Sequence, residues 1–267
     1  MKVYVYQHDR SEIGMTAPII RRLIEKGCYA ADWKEADIVI IPGDRRETIR
    51  FALDVFEHCP RKKIWHLGAG DMVDGVAGES HYDHLYRKLI SFIATESGGM
   101  LLGLSVHALL PFNGSVVGPT MIDDLPNTEE RPISEPYKLL CYNPLPWKPG
   151  VDDYCAWPEG NVYAMSPGND GIHVGHEGEK RLPHMERPLF LRWLRHADEV
   201  WGNSSCLFYE APLWHSDYKI HVIGARNQGR KIVRWDSVKY GCPSDNVIGL
   251  LLKEAKNDRN HSSKGWV

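Results

Sequence analysis

The chain has 267 residues, 43% of them hydrophobic and 25% charged, with a formal net charge of −3. That length and composition exclude a disordered tail or a miniature disulfide scaffold, and they suffice for one large domain or two small ones with a full core. A balance so near neutrality does not mark a nucleic-acid binder, although it leaves room for a local basic face, and the longest apolar runs, such as VIGLLL, are far too short to span a bilayer.

The opening MKVYVYQ reads as a short strand followed by charge, not as a signal peptide. KVYVY predicts a strand with its core at residues 3–6, and IGMTAPIIRRLIEKG predicts a helix closed by Gly27. ADIVIIPG is a continuous apolar strand of the buried parallel type. RRETIRFALDVFEHC predicts an amphipathic helix with Ile49, Leu53 and Phe56 on one face. KKIWHLG is a strand, YDHLYRKLISFI a helix and GSVVGP a short strand. This alternation predicts a βα half built on a parallel sheet. The Pro-rich DDLPNTEERPISEPYK, with Pro126, Pro132 and Pro136, reads as a linker. After it, YKLLCYNP and NVYAMSPGN are strands, PLFLRWLRHA a helix, DEVWGN a strand, SCLFYEAPLW a short helix and YKIHVIG a strand. SDNVIGLLLKEAKN closes the series as a helix with Ser244 as its N-cap, and the polar tail after it is expected to fray.

The expected organisation is therefore α/β: a Rossmann-like domain over 1–125, a linker over 126–136 and a second Rossmann-like domain over 137–267, their parallel sheets facing across a cleft. Ligands of such folds lie at strand carboxyl ends. Six cysteines (Cys28, Cys59, Cys141, Cys155, Cys206, Cys242) are scattered with no CxxC, which points to buried free thiols in a reducing cytoplasm. His81 and His84 sit one helical turn apart, but no further ligands follow, so no metal site is expected.

The stretch VWGNSSCLFYEAP, residues 200–212, joins a strand end to small polar residues at a helix start. Helix starts present unpaired N–H groups and suit phosphate, and Asn203, Ser204 and Ser205 add small donors without blocking access. Glu210 then offers an acceptor-only carboxylate able to grip a ribose diol. Taken alone, the same residues are equally an N-cap followed by a surface glutamate.

Read with the rest of the chain, this stretch resembles the GNSS…EAP signature of hydrolysing UDP-N-acetylglucosamine 2-epimerases of the sialic-acid-pathway type. In order along the sequence, QHDRSEIG (7–14), PGDRRET (42–48), HLGAGDMVDG (66–75), YDHLYRKLIS (82–91), VVGPTMIDDL (116–125) and IGARNQGRKI (223–232) are similar to further motifs of that family. The resemblance implies the GT-B architecture, with a UDP-sugar between two Rossmann-like domains. It implies that Arg10 and Arg226, with Arg230, hold the diphosphate, a task that suits a planar guanidinium. Asn203, Ser204, Ser205 and Glu210 are implied to hold phosphate and ribose, with Asn143 also at the UDP-sugar. Asp44, Asp71 and Asp83 match the acidic positions around the sugar and are the candidate catalytic residues. No cofactor or metal is implied.

The match breaks in three places. Where the family has a His-Pro pair after the first strand of the second domain, this chain has Asn143-Pro144, and an amide cannot carry a proton at neutral pH. Between the first helix and ADIVIIPGD only CYAADWKE stands, so the first domain is shortened; and Gly68 stands where some relatives have glutamate. Epimerisation needs bases on the correct faces of the sugar ring, whereas transfer needs a held UDP leaving group and one carboxylate base. The expectation is therefore a UDP-sugar-dependent glycosyltransferase acting on a hydroxyl acceptor. The alternatives are a hydrolysing 2-epimerase releasing UDP and N-acetylmannosamine, and an inactive UDP-sugar-binding module. By analogy of architecture alone the acceptor extends to 5-hydroxymethylated bases in DNA. Arg45, Arg46, Arg50, Arg61, Lys62, Lys63 and the basic 224–267 segment would then contact the backbone, and Trp65, Trp147, Trp157 or Trp214 could stack a base or a sugar. Solvated helix faces and core packing are the plainer roles for these residues. The sequence does not fix the oligomeric state.

Overall fold

The computed structural model describes residues 1–8, 10–43, 46–68, 81–104, 114–123, 125, 129–142, 156–165, 180–183, 185–224 and 231–262. In chain order the elements are β1 (Val3–Val5), α1 (Arg10–Glu25), β2 (Ile38–Pro42), α2 (Arg46–His58), β3 (Lys63–Leu67), α3 (His81–Glu96), β4 (Leu101–Gly103), β5 (Ser115–Val116), β6 (Lys138–Cys141), β7 (Val162–Met165), β8 (Lys180–Arg181), α4 (Arg187–His196), β9 (Glu199–Gly202), α5 (Cys206–Tyr209), β10 (Ile220–Val222), α6 (Ser237–Tyr240) and α7 (Pro243–Ser262), with short 3-10 turns between some of them. The fold is α/β with two five-stranded sheets, β1-β2-β3-β4-β5 and β10-β9-β6-β7-β8. Every strand pairing in both is parallel.

The described residues up to Asp123, together with those from Trp235 onward, pack as one unit; those of 125–234 form the other. In the first unit β2 is buried along its whole length, as a run of Ile and Val between covering layers must be. Met15, Ile19 and Leu23 of α1, spaced one turn apart, are buried. On α2 the buried face is Thr48, Ile49, Ala52 and Val55, with Leu53 and Phe56 only partly covered at its margin, so the core stripe is rotated from the one expected. Pro18 lies inside α1, where its missing N–H costs one helix bond. Between α1 and β2 the chain adds no strand, only one parallel bridge from Val3 to Tyr29. β1 thus has the Tyr29 bridge on one side and β2 on the other: the named strands run in sequence order, and the chain reverses direction across the sheet between this bridge and β2.

The closing helix differs from expectation in two ways. It belongs with the first unit, where Arg22 of α1 pairs with Asp245 at 3.0 Å and Lys63 of β3 with Glu254 at 2.6 Å. Its cap is also not Ser244, which lies inside α7. Buried Asp123 accepts from the Ser244 amide through Oδ2 at 2.5 Å and from the Cys242 thiol through Oδ1 at 3.0 Å. Asp123→Ala would leave a buried amide unpaired at a helix start and should cost about 1–3 kcal/mol. An unchanged urea midpoint, followed by far-UV circular dichroism, would contradict this capping role.

In the second unit β6 is central, with β7 and β8 on one side and β9 and β10 on the other. The order reverses between β6 and β9, which makes their carboxyl ends a topological switch point. An aromatic cluster supports the sheet: Tyr137 lies edge-on to Trp193 at 5.1 Å and donates its hydroxyl to the Trp193 carbonyl at 2.7 Å. Burial pushes the Tyr137 phenol well up, so it stays a donor. β4 and β8 are strands that the sequence pattern does not reveal.

Candidate functional site

Each unit carries expected site residues beside a switch point. In the first unit the turn after β1 is built on Glu12, a carboxylate only 3% exposed in the first turn of α1. Its Oε2 accepts from the His8 amide at 2.8 Å and its Oε1 from the Thr48 hydroxyl of α2 at 3.0 Å. Thr16 donates to the Glu12 carbonyl at 2.8 Å and receives Gln7 Nε2 at 2.5 Å. One buried carboxylate therefore sets the β1–α1 turn against the start of α2, and every polar atom named has a partner. Arg10 is the first residue of α1.

At the end of β2, Gly43 turns the chain with φ 64°. Its amide donates to the Leu67 carbonyl at 2.8 Å, and its carbonyl lies 2.7 Å from His66 Nε2. A carbonyl only accepts, so buried His66 carries a proton on Nε2. Both backbone groups of the residue before Asp44 are thus held from β3.

In the second unit Gly202 ends β9 against Cys141 at the end of β6. The amides of Asn203 and Ser204 both point at the Cys141 carbonyl, at 3.1 and 3.2 Å. Ser204 Oγ accepts from the Cys206 amide at 3.4 Å, and the Ser204 and Ser205 carbonyls accept from Leu207 and Phe208. Asn203 and Ser204 are buried, while Ser205 is exposed. The geometry therefore differs from a long helix offering free N–H groups: α5 has 4 residues, and the turn spends several of its amides internally. Glu210 follows directly, 7% exposed, with Arg187 Nη1 at 2.5 Å from its Oε1. It is a buried, paired carboxylate and not a surface one.

The loop after Glu210 is braced by Arg234, which donates to the carbonyls of Pro212 at 2.8 Å and His215 at 2.9 Å and pairs with Asp217. His215 is held neutral by burial and lies 2.7 Å from the Leu194 carbonyl through Nε2. Residues 212–217 and Arg234 line a cavity of about 500 Å³ beside this loop. A larger cavity, about 780 Å³, is lined by Asp37, Ile38, Cys59, Arg61, Lys63 and others. It lies at the amino ends of β2 and β3, the edge away from the switch point, so size does not make it the site.

Asp44, Asp71, Asn143, Arg226 and Arg230 lie outside the described residues, and Asp83 falls in the first turn of α3. Asn203, Ser204 and Ser205 form the turn after β9, and Glu210 follows at the far end of α5. Glu12 and His66 fall inside the motifs QHDRSEIG and HLGAGDMVDG, but their structural roles do not show there, and Arg187 and Arg234 lie in no motif. The long-range partners of the four lie 36, 23, 23 and up to 22 positions away, so no local pattern marks those contacts.

Of the basic set expected to face nucleic acid, Lys62 Nζ donates to the carbonyls of Trp33 at 2.6 Å and Lys34 at 2.9 Å, and Lys63 pairs with Glu254. Trp65 is buried in the sheet, Trp157 packs edge-on to Tyr142 at 4.9 Å, Trp214 is half-buried in the loop after Glu210, and Trp147 lies outside the described residues. Among the described residues no group of three or more His, Cys, Asp or Glu is placed to hold a metal ion, and no helix is long and apolar enough to cross a membrane.

No protein-family model matches the chain, and no curated protein does. Solved structures do. The UDP-GlcNAc 2-epimerase of Neisseria meningitidis bound to UDP-GlcNAc is 13% identical, with a TM-score of 0.69 over 95% of this chain and 100% of that one. The UDP-N-acetylglucosamine 2-epimerase of Rickettsia bellii is 14% identical, with a TM-score of 0.64 over 95% and 96%. The UDP-GlcNAc 2-epimerase of Methanocaldococcus jannaschii in complex with UDP-GlcNAc and UDP is 14% identical, with a TM-score of 0.62 over 95% and 100%. At such identity the likeness establishes the fold alone: α/β, with two parallel five-stranded sheets.

Proposed function

We propose that the protein is a UDP-sugar-processing enzyme that breaks the bond between the anomeric carbon and UDP. The observation that carries this reading is the placement of the motifs. PGDRRE follows β2, where the chain reverses direction across the first sheet, and GNSS…EAP follows the strand at the β6/β9 reversal; α/β sheets bind ligands at such points. The likeness to structures holding UDP-GlcNAc and UDP supports it. In this reading the second unit holds UDP through Ser204, Ser205, Glu210, Arg226 and Arg230, with Arg10 on the diphosphate and Asp44, Asp71 and Asp83 around the sugar.

The structural neighbours favour 2-epimerisation as the fate of the sugar: UDP leaves by elimination and water adds to the resulting glycal, giving free N-acetylmannosamine from UDP-N-acetylglucosamine. Asn143 favours a second reading, transfer to a hydroxyl acceptor, because the amide cannot replace a proton-carrying imidazole.

One assay tests both. The protein is incubated with UDP-N-acetylglucosamine and UDP-glucose, with and without hydroxymethylated DNA, and UDP, free sugar and acceptor mass are followed. UDP with free N-acetylmannosamine supports epimerisation, UDP released only with acceptor supports transfer, and UDP binding without turnover contradicts an enzyme. Arginines and backbone donors can neutralise a diphosphate without a divalent ion. Turnover should therefore survive EDTA; full loss restored by magnesium or manganese would contradict this set of phosphate ligands.

A further inference from the structure

Two sequence motifs meet at one buried carboxylate. Glu12 of QHDRSEIG lies in the first turn of α1, and Thr48 of PGDRRET lies in the first turn of α2, both buried. The Thr48 hydroxyl donates to Glu12 Oε1 at 3.0 Å, and the His8 amide donates to Oε2 at 2.8 Å. One oxygen therefore holds the start of α2 and the other holds the turn after β1. Beside them Tyr6 stacks on Phe51 at 4.1 Å, an apolar contact between the end of β1 and α2. Stacked rings tolerate sliding, whereas a buried hydrogen bond fixes both distance and direction.

The same bond completes a bracket around the candidate base. Upstream of Asp44, Gly43 is held to β3 through its amide and its carbonyl. Downstream of Asp44, Thr48 is held to α1 through Glu12. We propose that Glu12 and Thr48 are positioning residues: their hydrogen bond sets the start of α2 against the β1–α1 turn and so fixes where Asp44 meets the sugar. The inference rests on the UDP-sugar reading above, with Asp44 as base. Neither side chain has to touch the substrate. Misplacing a reacting group by about 1 Å is enough to cost about a hundredfold in rate. Removing the Thr48 hydroxyl should therefore be felt in turnover. It should spare nucleotide binding, because the His8 bond to Glu12 stays in place and the second unit supplies most of the UDP contacts in this reading.

The test is a mutant cycle on UDP release from UDP-N-acetylglucosamine, in the presence of acceptor if turnover requires one. It takes the wild type, Thr48→Val, Thr48→Ser, Asp44→Asn and Thr48→Val combined with Asp44→Asn, with calorimetric UDP affinity and melting curves for each. Valine keeps the shape of threonine and removes only the hydroxyl. The expected result for Thr48→Val is a kcat lower by roughly ten- to a hundredfold with UDP affinity near wild type. Thr48→Ser, which keeps the hydroxyl, should restore most of that loss. In the Asp44→Asn background the same valine should change kcat by less than about threefold, because residues that act as a unit are not additive. Should Thr48→Val not fold, Glu12→Gln, which keeps one acceptor oxygen, carries the same expectation. A wild-type kcat in the folded variant, or an equal loss with and without Asp44, overturns the positioning role, since a merely structural bond would act in both backgrounds alike. Asp44→Asn at wild-type turnover overturns it too, by removing the base it serves. A wild type that releases no UDP overturns the UDP-sugar reading itself, and the inference with it.

Discussion

Asp44→Asn is expected to lower UDP-sugar turnover by about 10²–10⁴-fold, the usual contribution of a general base, while UDP affinity stays near wild type. The argument rests on what precedes Asp44. Gly43 leaves β2 in the left-handed region at φ 64°. Its amide is held by Leu67 at 2.8 Å and its carbonyl by His66 at 2.7 Å. A base must be delivered to the substrate within a fraction of an ångström, and this double hold on the preceding residue is the type of support that does so. The position follows a strand carboxyl end where the chain reverses direction across the sheet, and a ligand is expected there. Asparagine preserves shape and hydrogen-bonding reach and removes only proton affinity, so a loss confined to turnover assigns proton transfer. Under epimerisation the loss appears in N-acetylmannosamine formation, and under transfer in glycosylated acceptor. Turnover within tenfold of wild type would move the role to Asp71 or Asp83.

The elements legible in the sequence are those whose burial leaves a local periodicity. β2 shows as an unbroken apolar run because both its faces are covered. α1 and α4 show as stripes, with Phe190, Leu191 and Leu194 buried on the latter. The elements that the sequence hides lack such a pattern. β4 has 3 residues, the last of them Gly103, and β8 is Lys180-Arg181, exposed and charged, so neither carries an alternation to read. The face of α2 is displaced from the expected one because its buried stripe uses Thr48 and Ala52, residues that hydrophobicity alone ranks low. The placement of α7 with the first unit depends on pairs such as Arg22–Asp245, separated by 223 positions. The same holds for the site. Small polar residues after an apolar strand end mark the 202–205 turn, and Glu210 stands out by its motif. Its burial and its ion pair with Arg187 come from tertiary packing, which no local pattern encodes.

That turn also carries the largest stability effect expected in the chain, and a single type of substitution gives opposite signs at two glycines. Gly202 has φ 141°, and a Cβ added to it would lie 1.9 Å from the Cys141 carbonyl oxygen and 2.5 Å from its carbon. Both atoms are backbone in the adjacent strand, so no rotamer change relieves the overlap. Gly202→Ala must part β6 from β9 at the register pair Cys141–Gly202, with the Asn203 and Ser204 amides losing the Cys141 carbonyl. Unpaired buried amides, strain and lost packing together place the cost at about 4 kcal/mol or more, in the exceptional range for one substitution. That is a large part of the stability of an ordinary domain. Gly249, inside α7, has open space where an alanine methyl would stand, with nothing within 4 Å, so Gly249→Ala adds a helix former without a clash. It should stabilise by roughly 0.5–1 kcal/mol. Urea unfolding followed by tryptophan fluorescence and limited proteolysis checks both. Gly202→Ala should unfold early and open the 125–234 unit to protease, with UDP affinity lost, while Gly249→Ala should raise the midpoint. A Gly202→Ala protein with a wild-type midpoint and full UDP affinity would mean that β6 and β9 do not meet at this turn as closely as the geometry requires.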